Sequence, residues 1–218
     1  MLGVMTDPAP VTVPDAPEVA REVFGDRLAL AEAFAAELAD TGVSHGLIGP
    51  REVPRLWDRH VLNCAVPAVV IPEGSRIVDV GSGAGLPGIA MAIARPDLDV
   101  VLVEPMLRRT TWLSETIARL GLERVEVVRG RAEDVAGSVS APIVTARAVA
   151  RIDKLAGWCV PLLDRPGRIV ALKGRSAREE LAEETAVLRR LGMTAGRVYE
   201  VGDGILEETT LVMDLRFG

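Results

Sequence analysis

The chain has 218 residues, 49% of them hydrophobic, enough to bury one core with an appendage without requiring a second domain. It carries 25 Lys and Arg against 31 Asp and Glu, a net charge of −6, which excludes a general polyanion binder and confines any nucleic-acid contact to a local basic patch. The longest run without a charge, residues 80–94, is broken by glycines and a proline and is too short to span a membrane.

Residues 1–16 are rich in Pro, Ala and Asp, with neither a basic end nor an apolar core. They are expected to form a disordered tail reaching residue 18 rather than a signal peptide, in a cytoplasmic protein. The remainder, 19–218, is expected to be a single domain, with a helical cap over 19–66 and the core over 67–218.

From residue 22 to 40, Val23, Phe24, Leu28, Ala31, Phe34, Ala35 and Leu38 recur at one-face helical spacing. Gly25 marks a break near the start and Gly42 is expected to end the helix. A second helix over residues 50–64 puts Val53, Leu56, Trp57, Val61 and Cys64 on one stripe. Arg51, Arg55, Asp58, Arg59 and Asn63 occupy its other faces. These two helices make the cap.

The next segment reads Val78-Asp79-Val80-Gly81-Ser82-Gly83-Ala84-Gly85-Leu86-Pro87-Gly88. An apolar strand runs into a glycine-dense turn that opens a helix, so a ligand can lie against bare main chain at a strand's carboxyl end. Gly83 to Gly88 also meets the loose dinucleotide pattern. The strand ends before Gly81, however, and a carboxylate at Asp79 would repel a pyrophosphate, whereas it suits the ammonium end of S-adenosyl-L-methionine. Asp79, Gly81, Gly83 and Gly85 are therefore assigned to a methyl donor, with a nicotinamide cofactor the competing reading. Glu104 ends the following apolar strand, where a carboxylate accepts ribose hydroxyls.

Strands are predicted near 76–80, 100–104, 124–128, 142–146 and 168–172, with helices near 86–94, 107–120, 151–162 and 176–191. Two further strand-like runs, 197–201 and 209–215, form a closing hairpin. The alternation specifies an α/β fold, a mostly parallel sheet covered on both faces. With one antiparallel strand it becomes the seven-stranded sheet of a Rossmann-like class I methyltransferase carrying an N-terminal helical cap.

The fourth strand ends at Thr145-Ala146-Arg147-Ala148, the substrate edge of such a sheet. No Asn- or Asp-Pro-Pro-aromatic turn is present to hold an exocyclic amine. The settings of Cys64 and Cys159 do not match a nucleophile for pyrimidine carbon. Neither cysteine shares ligand spacing with His45 or His60, so no metal site is expected. What remains is transfer to an atom already nucleophilic, such as a ring nitrogen, a small hydroxyl or an amine. A guanine N7 has no proton to remove, so the site needs only positioning groups. Arg147 and His60 are the candidate catalytic residues. Arg51, Arg55, Arg59, Asn63, Lys173 and Arg175 are the candidate RNA contacts, and the acidic pairs Glu179-Glu180, Glu183-Glu184 and Glu207-Glu208 are expected to lie elsewhere. A methyltransferase of small molecules is the alternative from the residues alone.

Several blocks together resemble one family: Gly49-Pro50-Arg51-Glu52 with Leu56-Trp57-Asp58-Arg59-His60-Val61-Leu62-Asn63, the turn 78–88, Gly130-Arg131-Ala132-Glu133, Ala146-Arg147-Ala148 and Leu172-Lys173-Gly174. They resemble the small-subunit ribosomal RNA guanine-N7 methyltransferases G, formerly glucose-inhibited division protein B, over residues 24–177. The resemblance implies methylation of N7 of one guanine in the decoding-region loop of 16S rRNA, by a monomer acting on the RNA or the small ribosomal subunit. It implies donor contacts at Gly81, Leu86, Glu104, Ala132, Glu133 and Arg147, and a link between loss of the methyl group and low-level streptomycin resistance. Ala146 departs from the serine common in the family, and many relatives carry a basic extension beyond the position of Gly218. RNA affinity is therefore expected to rest on the cap and the strand ends.

Overall fold

The computed structural model describes residues 13–218. Of the expected tail, residues 1–12 lie outside the described residues. Residues 13–18 run as ordered chain against the cap: Val13 and Ala16 pack on the core, and Trp57 Nε1 donates to the Pro14 carbonyl at 2.9 Å.

The cap begins with α1 (Ala20–Phe24), breaks at Gly25 with φ of 51°, and resumes as α2 (Leu28–Glu37). The expected stop at Gly42 is corrected. The chain continues through a wide π turn, Leu38–Gly42, and ends at Gly46, whose positive φ of 66° is the one that reverses the chain. Gly42 is instead buried beside Trp112. The second cap helix is likewise not uniform. A 3₁₀ ribbon, Pro50–Arg55, passes into a π segment, Leu56–Leu62, then α3 (Asn63–Ala65) and another 3₁₀ stretch, Val66–Val70. Pro54 explains the change of pitch, since it lacks an N–H and disfavours α geometry at Val53.

The core then alternates: β1 (Arg76–Val80), α4 (Gly88–Ala94), β2 (Asp99–Glu104), α5 (Leu107–Leu120), β3 (Val125–Arg129), α6 (Ala132–Val135), β4 (Ala141–Arg147), α7 (Ile152–Cys159), β5 (Leu163–Lys173), α8 (Ala177–Arg190), β6 (Met193–Val201) and β7 (Thr210–Phe217). The sheet order is β3-β2-β1-β4-β5-β7-β6, with β7 antiparallel to both its neighbours and the other pairings parallel. This is the seven-stranded sheet expected from the alternation. Central β1 is buried from Ile77 to Val80, which is why its sequence does not alternate with exposed polar residues; Asp79 is the one polar residue in that buried stretch. The four-residue α6 is too short for any periodicity to announce, and β5 and β6 each start earlier than expected.

Two hydrophobic layers hold the sheet. The cap, α4 and α5 cover one face through Leu38, Leu56, Ile89 and Trp112 against Ile77, Leu102 and Val170. On the other face α6, α7 and α8 bring Val135, Leu155 and Leu188 toward Val78, Val101 and Val144. Strand order reverses between β1 and β4, so the loops leaving their carboxyl ends diverge and open a crevice.

Gly88 sets how closely α4 approaches the sheet. A Cβ there would collide with Leu102 and lie 2.9 Å from Asp79 Oδ2. Gly88→Ala is expected to lower unfolding stability by about 1–3 kcal/mol through overpacking. Gly157→Ala, at an exposed position of α7 with nothing within 4 Å, is expected to raise it by about 0.5–1 kcal/mol through helix propensity. Denaturant midpoints of the two variants should move in opposite directions.

Candidate active site

The turn after β1 is tied to the strand ends around it. Asp79, fully buried, accepts the Gly88 N–H at 3.1 Å through Oδ2, while its Oδ1 is buried without a partner. Glu104, 1% exposed at the end of β2, accepts the Gly83 N–H at 3.1 Å and the Met106 N–H at 3.0 Å, with Arg109 Nη1 at 3.5 Å. Gly81, Gly83 and Gly85 all adopt positive φ, which a side chain would strain. Leu86 is buried beneath the turn.

Burial pushes the Asp79 carboxyl up to about 7, against the smaller opposing effects of the Gly88 N–H and the Arg147 charge. A buried acceptor without a partner fits a ligand that brings positive charge to this strand end. The Glu104 carboxylate fits a diol above the neighbouring strand. S-adenosylmethionine has both features. Ala132, buried, and Glu133, exposed, open α6 just beyond β3, whose end is bound to that of β2 by the Gly130 N–H on the Glu104 carbonyl at 3.2 Å.

A cleft of about 770 Å³ opens beside this turn, over the carboxyl ends of β4 and β5. Six basic residues line it: Arg55, Arg59, Arg147, Arg151, Lys173 and Arg175. Arg147 ends β4. It donates from Nη1 to the Arg59 carbonyl at 3.1 Å and from Nη2 to His60 Nδ1 at 3.0 Å. His60 is buried and does not line the cleft; its Nε2 lies 3.0 Å from Glu52 Oε2. Burial, reinforced by the Arg147 charge, holds the imidazole below its ordinary pKa, and the His60 hydrogen bond holds the Glu52 carboxyl below its own.

The loop after β4 separates the two regions. Ala148 takes a φ of 53°, the one positive value at a non-glycine among the described residues, and thereby sets Val149 over Gly81. A Cβ at Gly81 would stand 3.1 Å from Val149 Cγ2.

The structure gathers Arg55, Arg59, Asn63, Arg147, Lys173 and Arg175 around one cleft and leaves Arg51 exposed outside its lining. Two expectations are corrected. Lys173 is turned inward, with a side chain 9% exposed; its Nζ donates to Glu180 Oε1 at 2.8 Å and to the Ala150 carbonyl at 2.9 Å. It anchors the loop after β4 instead of presenting a charge to solvent, because Glu180 also accepts the Ile152 N–H and so fixes the loop's far end. Nor do the acidic residues lie elsewhere. Asp58, Glu180 and Glu208 line the cleft, Arg175 pairs with Glu208 at 3.0 Å, and Arg151 pairs with Glu183 and Glu184. Glu52, Thr209 and Thr210 went unassigned in the sequence. Asn63 makes an internal bond, from Nδ2 to Thr210 Oγ1 at 2.7 Å, that ties the cap to β7.

Among the described residues, no cluster of three or more His, Cys, Asp and Glu is arranged to hold a metal ion, and no helix is long and apolar enough to cross a membrane.

A sheet in this order, with a glycine turn after β1, an acid ending β2 and a cleft beyond β4, defines a Rossmann-like class I methyltransferase using S-adenosylmethionine. Solved structures of the same fold include a SAM-dependent methyltransferase from Aquifex aeolicus, with a TM-score of 0.55 and 18% identity, covering 78% of this chain and 100% of that one. Another is M. jannaschii TYW2 in complex with AdoMet, with a TM-score of 0.54 and 19% identity, covering 69% and 72%.

The chain belongs to the rRNA small subunit methyltransferase G family, whose model matches residues 27–208. The ribosomal RNA small subunit methyltransferase G of Streptomyces avermitilis is 53% identical over 207 residues, 94% of this chain and 87% of the relative. That of Pseudarthrobacter chlorophenolicus is 54% identical over 194 residues, 89% and 90% of the two chains.

The raised pKa of Asp79 has a definite sign. A carboxyl that titrates near 7 when folded, against an ordinary 3.8, contributes stability that is fully present below the lower value and lost as pH rises through the higher. Asp79→Asn, neutral throughout, is expected to be more stable than the parent above pH 7 without donor, by on the order of 1 kcal/mol. The same variant should bind S-adenosylmethionine more weakly. Thermal melts from pH 5 to 9 and donor titrations test both; an unchanged pH profile would overturn the raised titration of Asp79, and an unchanged donor Kd would remove it from the donor site.

Proposed function

We propose that the protein transfers a methyl group from S-adenosylmethionine to N7 of one guanine in the decoding-region loop of 16S rRNA, acting as a monomer in the cytoplasm. Membership of the family supports the RNA substrate. The observation that carries the reading is the position of Arg147, at the end of β4 between the glycine turn and a cleft with six basic residues against three acidic ones. Pockets for small molecules are typically enclosed and mostly apolar, whereas this cleft is open and charged. Both regions are built by one chain, so no second copy is needed to complete the site.

The donor, when bound, supplies an electrophilic methyl on a sulfonium. Glu104 accepts the ribose hydroxyls, Ala132 and Glu133 lie beside the adenine, and Asp79 offsets the amino-acid end's positive charge beneath the turn formed by Gly81, Gly83, Gly85 and Leu86. Arg55, Arg59 and Arg175 hold phosphates on the cleft rim. Arg147 orients the target base. Its guanidinium can only donate, so it addresses a guanine O6 or a phosphate and leaves the N7 lone pair free. No group has to remove a proton. Catalysis then consists of desolvating and aligning that lone pair.

Transfer of labelled methyl to small subunits from cells lacking this protein, mapped by cleavage specific for N7-methylguanine, tests the reading. One labelled guanine in the decoding loop is the expected result. No label despite measurable donor binding would favour a small-molecule acceptor. Two variants should separate the roles. Arg147→Ala is expected to slow single-turnover transfer by about a hundredfold with a donor Kd within a few-fold of the parent. Glu104→Ala is expected to weaken donor binding by about 1–3 kcal/mol. Equal losses of transfer and donor binding for Arg147→Ala would remove its substrate role.

A further inference from the structure

We propose that His60 and Glu52 are positioning residues that hold the Arg147 guanidinium at the mouth of the cleft, in a chain running Glu52–His60–Arg147. The proposal rests on the reading of Arg147 given above and assigns neither His60 nor Glu52 to contact with substrate.

The hydrogen-bonding inventory fixes the order of the chain. Arg147 Nη2 can only donate, so His60 Nδ1, at 3.0 Å, must be the acceptor. The ring proton then sits on Nε2 and is donated to Glu52 Oε2 at 3.0 Å. Glu52 is held in turn by Arg59 Nε at 3.4 Å, and the Arg59 carbonyl takes the second Arg147 contact at 3.1 Å. Two of the five guanidinium N–H groups are thus spent on the cap, and the plane of the fork is fixed by two separate acceptors. Among the described contacts, the other three have no protein partner and remain for RNA.

Histidine is suited to this place. Lys and Arg at position 60 cannot accept, and a simple amide cannot present an acceptor to Arg147 and a donor to Glu52 in the same span. No proton needs to move along the chain, because an arginine keeps its charge. Its function is orientation, as when a carboxylate fixes the tautomer of a metal-bound histidine.

The groups facing His60 are Glu52 and Arg59 from its own ribbon and Arg147 from β4. Protonation at Nδ1 would set a cation against the guanidinium and break the bond. Methyl transfer should therefore fall on the acid side with the titration of His60. Glu52 raises the His60 pKa, whereas burial and Arg147 lower it. Removing the Glu52 charge should move that acid limb to lower pH.

The test is single-turnover methyl transfer to unmodified small subunits from pH 5 to 9, with donor Kd measured alongside. Glu52→Gln, at a partly exposed position, is expected to fold and to shift the acid limb down by about half a pH unit or more. In His60→Asn, the amide oxygen replaces the Nδ1 acceptor; at saturating donor the His60 limb should vanish, with a rate within about tenfold of the parent at pH 8. His60→Leu should lose about 30- to 100-fold in rate at pH 8, while donor Kd moves less than about threefold. Parental rates in His60→Leu, or an acid limb unmoved in both Glu52→Gln and His60→Asn, would overturn the proposal. Should His60→Leu fail to fold, the Glu52→Gln profile decides alone. Absence of transfer by the parent itself would overturn the functional reading and this proposal together. Normal parental transfer with unaltered variants would overturn only the positioning chain.

Discussion

The site depends on how closely the first turn of α4 lies against the end of β1. Position 88 has no side chain, so its N–H reaches the buried Asp79 carboxyl directly, and α4 can rest on Leu102 of the neighbouring strand. That contact fixes the span the turn must cover between Val80 and Gly88. The turn is then secured twice more: Gly83 donates to Glu104 at the end of β2, and Gly81 lies under Val149 from the loop after β4. Three strand ends thus converge on the main chain of residues 81–88. The positive φ of Ala148 is part of the same constraint, since it turns Val149 back onto Gly81, and such strain persists only where the surroundings impose it.

This convergence also explains which parts of the molecule were legible in the sequence. The strands were readable because β1, β2 and β4 are largely buried on both faces and so are written mostly in apolar residues, with buried polar exceptions such as Asp79 and Thr145. The glycine turn after β1 was readable because its residues are local: an acid, glycines and a second acid on the next strand. The cleft was less so. His60 and Glu52 are eight residues apart, but His60 and Arg147 are separated by 87, and nothing in either neighbourhood announces the other. Periodicity placed Val53, Leu56, Trp57 and Val61 correctly on an inward stripe, yet it could not report that Pro54 breaks the ribbon into 3₁₀ and π segments. Lys173 illustrates the same limit. A lysine after a strand reads as a solvated charge, and only the return of α8 brings Glu180 close enough to bury it.

The mixture of charges in the cleft answers how an acidic protein can present a surface to RNA. Those of its basic residues that are paired with a carboxylate fall into two energetic classes. Lys173 and Glu180 are buried together, and breaking that pair would strand a charge in the interior at a cost of about 3–5 kcal/mol, so Lys173 is committed to the fold. Arg175 with Glu208, and Arg151 with Glu183, are exposed on both sides, and pairs of that kind contribute only about 0–1 kcal/mol. A phosphate arriving at the rim therefore competes with partners that are cheap to displace. Arg147 belongs to neither class: its cap contacts are to a carbonyl and a neutral imidazole, which orient the guanidinium while leaving its charge uncompensated by any carboxylate in direct contact. The Arg147 charge is thus held in place by geometry, while Glu208 and Glu183 neutralise rim arginines through exposed pairs that salt readily weakens.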